Sequence, residues 1–198
     1  MTDHYYSKQP SAASDRGTFE ATLRGKTFRF TTDSGVFSKQ GIDFGSKLLI
    51  ETMRIGEDDR VLDVGCGYGP IGLAAAALAA RGSVMMVDIN ERAVELAKEN
   101  AKRNGIVNVD IIQSDLFEKV GQKTFTKILS NPPIRAGKQV VHHIFEMAFH
   151  HLTEGGELWI VIQKKQGAPS ALAKLESLFA KVVEADKDKG YRIYCATK

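Results

Sequence analysis

Apolar and polar positions change period along the chain. From Thr18 to Leu23 and from Lys26 to Thr31 they alternate, with Phe19, Ala21 and Leu23, then Phe28 and Phe30, on one side. Arg24-Gly25 lies between the two runs as a turn, so together they predict a β-hairpin. The stretch Ser34-Gly35-Val36-Phe37-Ser38-Lys39-Gln40-Gly41 breaks the pattern and reads as a loop. Beyond it Leu48, Leu49 and Met53 recur at helical spacing and predict a helix over 44–53.

From Arg60 onward short apolar runs alternate with helical stretches. Strands are predicted at 61–64, 83–88, 109–113, 126–130 and 158–163, and helices at 71–81, 91–103, 139–152 and 171–180. Gly82 stops the first of these helices, and Asn90 suits the N-cap of the second, with Gly105 beyond its end. In the third, Val141, Ile144, Phe145, Ala148 and Leu152 share one stripe. Two last runs, 182–187 and 191–197, predict a closing hairpin. Strands alternating with helices imply a parallel sheet covered on both faces, and the hairpin adds one antiparallel member. The expected fold class is therefore α/β: a doubly wound, mostly parallel seven-stranded sheet of Rossmann-like type. Residues 1–56 are expected to form an N-terminal cap of hairpin, loop and helix, packed on a core of 57–198 in one compact domain.

Composition narrows this picture only a little. At 198 residues, 43% hydrophobic and 26% charged, the chain suits one globular domain with a substantial core. A net charge of +3 permits a polyanionic partner without demanding one. The longest apolar run, 71–80, is too short to span a bilayer, and Met1 to Pro10 lack an apolar signal core. Two cysteines, Cys66 and Cys195, are too few for a disulfide scaffold. The expectation is a reduced cytoplasmic protein without a membrane partner, a monomer or weak homodimer.

The first chemical signal is the loop Asp63-Val64-Gly65-Cys66-Gly67-Tyr68-Gly69, between a strand and a helix. In a doubly wound sheet, ligands bind beyond the carboxyl ends of the strands. Glycines there let the chain turn tightly and a ligand approach closely, and Pro70 suits the first turn of the helix. Asp88 ends the second strand, where a carboxylate can accept both hydroxyls of a ribose. Asp115 follows the third and could accept an adenine amine. Ile89, Ser114 and Leu116 flank these positions. Two cofactors compete for this pattern. Gly67, Gly69 and Gly72 also satisfy the dinucleotide fingerprint, with Asp88 at a suitable distance. Asp63 shifts the balance, because its carboxylate can meet the ammonium of a methionine moiety but would repel a pyrophosphate. S-adenosyl-L-methionine is the expected cofactor.

The second signal is Asn131-Pro132-Pro133-Ile134 at the end of the fourth strand of the alternating region. An amine on a base or an amide is a poor nucleophile, since its lone pair is delocalised. The Asn131 side-chain oxygen can accept one N–H and the Pro132 carbonyl the other, which turns the lone pair toward the methyl donor. Proline fixes φ and lacks a donor, so the strand end is stiff. No strong base is needed, because alignment does most of the catalysis. Asn-Pro is also a common turn pair, and only the position after this strand gives it chemical meaning.

With these residues in view, the chain resembles the methyltransferase-small-domain group of class I methyltransferases, in particular small-subunit ribosomal-RNA guanine-N2 methyltransferases. Gly35-Val36-Phe37-Ser38, Ile42-Asp43-Phe44-Gly45-Ser46-Lys47-Leu48-Leu49, the loop Asp63 to Gly69 and Ser130-Asn131-Pro132-Pro133 carry the resemblance, which runs from about His4 to the end. It implies S-adenosyl-L-methionine held by the loop and Asp88, a capping segment around Phe37 to Asp43, and ribosomal RNA or a ribosomal subunit as partner. Ile134 stands where the superfamily usually has an aromatic residue that stacks on the target base. Phe37 or Tyr5-Tyr6 could supply that ring. The same chemistry would serve a glutamine amide in a release factor, and a chain that had lost catalysis could remain a cofactor- and RNA-binding module.

Charge adds a candidate rim. Arg135 and Lys138 follow the fourth strand of the core, Lys164 and Lys165 the fifth, and Lys187, Lys189 and Arg192 lie at the last turn. All three groups fall on the sheet edge that carries the loop and, with Lys39 in the cap, could meet phosphates. His142-His143 and His150-His151 are two helical turns apart without a Cys cluster, and no metal is expected. Cys66 is expected to fit the loop by its size, and Trp159 to belong to the core.

Overall fold

Val61 on one side of the central strand, and Leu62 and Val64 on the other, belong to two separate apolar cores. That division organises the molecule, seen in a computed structural model that describes residues 8, 10 and 12–198. Strands β1 (Gly17–Leu23) and β2 (Lys26–Thr32) form the expected hairpin, paired from Gly17 with Thr32 to Leu23 with Lys26. Its two turn residues both have positive φ, 51° at Arg24 and 77° at Gly25, as a tight right-twisting hairpin requires. Helix α1 (Phe44–Thr52) follows the 34–41 loop.

The core then runs β3 (Arg60–Val64), α2 (Pro70–Leu78), β4 (Ser83–Asp88), α3 (Glu91–Arg103), β5 (Val109–Gln113), β6 (Phe125–Ser130), α4 (Lys138–His151), β7 (Leu152–Gln163), α5 (Ala168–Leu178), β8 (Lys181–Asp188) and β9 (Tyr191–Thr197). Among the described residues these strands form one seven-stranded sheet, β5-β4-β3-β6-β7-β9-β8, in which β9 alone runs antiparallel to its neighbours. The chain winds outward from β3 to β5 and then returns to β6 beside β3. The order therefore reverses between β3 and β6, where their carboxyl ends leave a crevice.

One face of the sheet carries α1, α2, α3 and the hairpin, and the other carries α4 and α5. The hairpin is tied down by side chains of α3. The buried Asn100 accepts the Thr31 N–H (2.7 Å) and donates to the carbonyls of Thr31 and Tyr68 (both 2.9 Å). Asn104 repeats the pattern one turn later on Arg29, accepting at 2.9 Å and donating at 2.8 Å. These bonds satisfy the edge of β2 and fasten it to the glycine loop through Tyr68. Phe19 and Phe30 pack on the Tyr68 ring at 6.1 and 5.7 Å between centroids.

Several element ends differ from expectation. Helix α2 stops at Leu78, and Arg81 turns outward to pair with Glu57 and Asp58. Helix α5 begins earlier, at Ala168, because Pro169 fits a first helical turn. Strand β7 starts at Leu152, six residues before the expected strand at 158–163. It pairs Leu152 with Phe125 and Glu157 with Lys127, so extra residues are absorbed as an irregularity around Gly155 and Gly156. Gly155 lies at φ 72°, and its N–H and the Gly156 carbonyl bond the last residue, Lys198.

Candidate active site

The crevice between β3 and β6 opens into a cleft with about 870 Å³ of empty space, its open mouth included. That is the scale of a cofactor-sized site. Gly65, Cys66 and Gly67 form its floor, Asp88, Ile89, Ser114 and Leu116 one end, and Asn131, Pro132 and Pro133 the other. Gly65 (φ 78°) and Gly67 (φ 56°) adopt backbone conformations that favour glycine, and a Cβ at either would meet no protein atom within 4 Å. Both positions face the open space of the cleft. Gly69 does a different job. It caps α2 at φ 106°, its added Cβ would approach Leu73 and Met86, and it does not line the cleft.

Two carboxylates flank the floor. Asp88 accepts the N–H groups of Gly67 (2.8 Å) and Asn90 (2.9 Å), one on each oxygen, which shapes the loop and leaves lone pairs for a ligand. Burial pushes its carboxyl up to about 6, against the pull of those N–H groups. Asp63 is fully buried, and neither oxygen has a well-formed hydrogen bond among the described residues. Burial raises its carboxyl to about 7, partly offset by the nearby Gly72 N–H and reinforced by the Asp88 charge. It does not line the cleft, although Val64, the next residue of β3, does. A buried acid without partners is costly unless a cationic ligand compensates it.

Asn131 is held from across the crevice. Its Nδ2 donates to Ser46 Oγ (3.0 Å) and to Asp43 Oδ2 (3.3 Å) at the start of α1. Ser130, one residue earlier, donates to the Val64 carbonyl (2.8 Å) and pins the end of β6 to β3. The Pro133 carbonyl is engaged by the Ala136 N–H at 2.9 Å, whereas among the described residues no group donates to the Pro132 carbonyl. An unused carbonyl and an oriented carboxamide thus sit together at one end of the cleft.

Other expected site residues are placed elsewhere. Asp115 does not line the cleft, though its neighbours Ser114 and Leu116 do; Ser114 Oγ bonds the Leu116 carbonyl and the Lys119 N–H, both at 3.0 Å. Ile134 opens a 3-10 turn, Ile134–Ala136, that carries it to the opposite core and to a second groove with Lys138, His142 and Ser170. It therefore does not line the cleft beside Asn131, Pro132 and Pro133, where the tetrapeptide reading had grouped it with them. Phe37 is on the cleft wall and 39% exposed. Tyr5-Tyr6 lie outside the described residues. Lys39 is engaged by Asp15 and Ser34 and does not line the cleft. Arg135, Lys138, Lys164 and Lys165 are exposed and, among the described residues, make no ion pair. Lys187 and Arg192 both pair with Glu184, and Lys189 sits over the Phe44 ring at 4.6 Å, so the third basic group is largely spent internally. Cys66 is buried and its thiol is pushed up by that burial, which suits a packed wall rather than a nucleophile.

Sequence reasoning missed Ser46 and Asn90 as cleft residues, and had Tyr68 only as part of the loop and Asp43 only as the end of the capping segment. Asn90 was legible only as a helix cap; its Nδ2 also donates to the Gly35 carbonyl (2.8 Å) and ties the capping loop to the core.

A mostly parallel seven-stranded sheet with one antiparallel strand, a glycine loop after β3 and Asn-Pro-Pro after β6 define the Rossmann-like methyltransferase fold. The family model "Methyltransferase small domain" matches residues 27–195, and the chain belongs to that family. It is 58% identical to "Uncharacterized protein YbxB" of Bacillus subtilis (strain 168) over the full length of both. It is 33% identical to "Ribosomal RNA small subunit methyltransferase C" of Klebsiella pneumoniae, covering 93% of this chain but 54% of that relative. Among solved structures it is similar to the T. thermophilus 16S rRNA N2 G1207 methyltransferase (RsmC) in complex with AdoMet and guanosine. The TM-score is 0.82 at 26% identity, over 96% of this chain and 52% of that one. The chain thus spans about half the length of those two ribosomal-RNA enzymes.

Proposed function

We propose that this chain transfers a methyl group from S-adenosyl-L-methionine to an exocyclic amine, guanine N2 in ribosomal RNA. The observation that carries the reading is the single cleft that joins a glycine floor to the Asn131-Pro132 acceptor pair. The residues present fit the cofactor. Gly65 and Gly67 leave room where a side chain would intrude. Asp88 has lone pairs for ribose hydroxyls, and the orphaned Asp63 carboxylate complements a cationic methionine moiety. Ser114 and Leu116, rather than Asp115, border the end expected to take the adenine.

S-adenosyl-L-methionine, when bound, supplies a methyl group already activated by its sulfonium. The chain's own task is alignment. Asn131 Oδ1 accepts one amine N–H and the Pro132 carbonyl the second, so the nitrogen lone pair turns out of conjugation. Pro132 and Pro133 are buried and hold that carbonyl still. Phe37, at the cleft rim, offers an aromatic face to the base in place of the displaced Ile134. Arg135, Lys138, Lys164 and Lys165 supply phosphate contacts along the same edge of the sheet.

The names of the two ribosomal-RNA relatives support this acceptor. Incubation with labelled S-adenosyl-L-methionine and ribosomal RNA, transfer RNA or a release factor in parallel tests it. Label on ribosomal RNA is the expected result, and label confined to the release factor would replace guanine by a glutamine amide.

A further inference from the structure

The acceptor role of Asn131 depends on which end of its carboxamide faces the cleft. A carboxamide presents an oxygen acceptor at one corner and an NH2 donor at the other, and a half-turn of the last side-chain bond exchanges them. An amine to be methylated needs the oxygen. Asp43 Oδ2 and Ser46 Oγ lie 3.3 and 3.0 Å from the Asn131 nitrogen, one for each of its hydrogens. An ionised carboxylate only accepts, so a turned Asn131 would set oxygen against oxygen. Asp43 is itself fixed, because its other oxygen accepts the N–H groups of Gly45 (2.9 Å) and Ser46 (3.2 Å) as the N-cap of α1. That first helical turn is pinned in place as well: a Cβ on Gly45 would come within 2.8 Å of the Tyr191 ring.

We propose that Asp43 and Ser46 are positioning residues that lock the Asn131 carboxamide with its oxygen toward the cleft. The chemical purpose rests on the acceptor role proposed above; the lock is a property of the chain alone. Asp43→Asn separates it from simple structural support, since asparagine caps a helix as well as aspartate. Its own NH2, however, can donate to a turned Asn131. The Asn131 side-chain NH2 pair is identified by NMR through its loss in Asn131→Ala. In the wild-type protein that pair is expected to exchange slowly. Asp43→Asn, with an unchanged melting temperature, is expected to speed exchange and to slow single-turnover methyl transfer, each roughly tenfold, at constant KM for S-adenosyl-L-methionine. Ser46→Ala is expected to give roughly threefold changes, restored by Ser46→Thr. If Asp43→Asn melts as wild type and leaves the NH2 signals and their exchange unaltered, the lock is overturned. A wild-type chain that methylates no acceptor, combined with altered NH2 signals in Asp43→Asn, retains the lock and removes the proposed reaction.

Discussion

The two ends of the cleft are built by different means. At the glycine end, the loop is shaped from nearby: Gly65 to Gly69 follow β3, and Asp88 ends the neighbouring β4 and holds Gly67 at 2.8 Å. At the Asn131 end, geometry depends on α1, whose Asp43 and Ser46 lie more than eighty residues upstream. The glycine end is also acidic and buried, while the outer rim beyond Asn131 is basic and exposed. A cationic cofactor and a polyanionic acceptor would each find the charge that suits it.

The largest expected effect falls on the Asn131 end alone. Asn131→Ala should reduce methyl transfer by about a thousandfold or more, judged from the loss of an aligned acceptor. Its affinity for S-adenosyl-L-methionine, read by calorimetry, should stay near wild type. Equal losses in both would merge the two ends into one unit.

Asp63→Asn should do the reverse at the glycine end. Cofactor affinity should fall roughly 10- to 100-fold, the span of a charge-assisted contact. The ligand-free protein should gain stability, and the sign follows from the raised carboxyl. With a folded value near 7 and an ordinary value of 3.8, the folded state binds the extra proton between these limits. The Asp63 contribution to stability therefore falls as pH rises from about 4 to about 7. The gain of Asp63→Asn should be absent near pH 4, grow to pH 7 and remain constant above; thermal melts across that range check it. A gain largest at low pH would mean that Asp63 is paired in the folded state.

A smaller effect links the acids to the ligand. Because Asp63 and Asp88 are raised to about 7 and about 6, cofactor affinity should weaken as pH falls from 8 to 5.5. Near neutrality, binding should release protons, visible as a buffer-dependent heat. The smallest effect belongs to the rim. Alanine at both Lys164 and Lys165 should weaken RNA binding roughly fivefold and lower the salt slope by about one to two. Lys187→Ala should change it little, since Lys187 already pairs with Glu184. Equal effects from both would erase the distinction between free and spent cations.

Most of the fold was legible because its periods are clean. The alternation of Phe28 and Phe30 gave the hairpin, and the stripe through Ile144 and Phe145 gave α4. Element ends were less so: a strand expected over 158–163 begins at Leu152, because β7 also pairs with Phe125 ahead of a register shift. At the site, local features survived the passage to three dimensions. Gly65, Gly67, Asp88 and Asn131 stand around one cleft. Ile134 did not join them, because a 3-10 turn starts directly after Pro133 and redirects the chain. Asp43 and Ser46 could not be read as partners of Asn131, since only the packing of α1 brings them there. Charge was legible as composition but not as availability: Glu184 engages Lys187 along β8 and Arg192 across the β8–β9 pairing.

Nucleoside analysis of ribosomal RNA after reaction with labelled S-adenosyl-L-methionine tests the central claim most directly. Label in N2-methylguanosine, absent when Asn131→Ala replaces the wild type, is the predicted result. Label in a different nucleoside, or equal labelling by Asn131→Ala, would contradict the account.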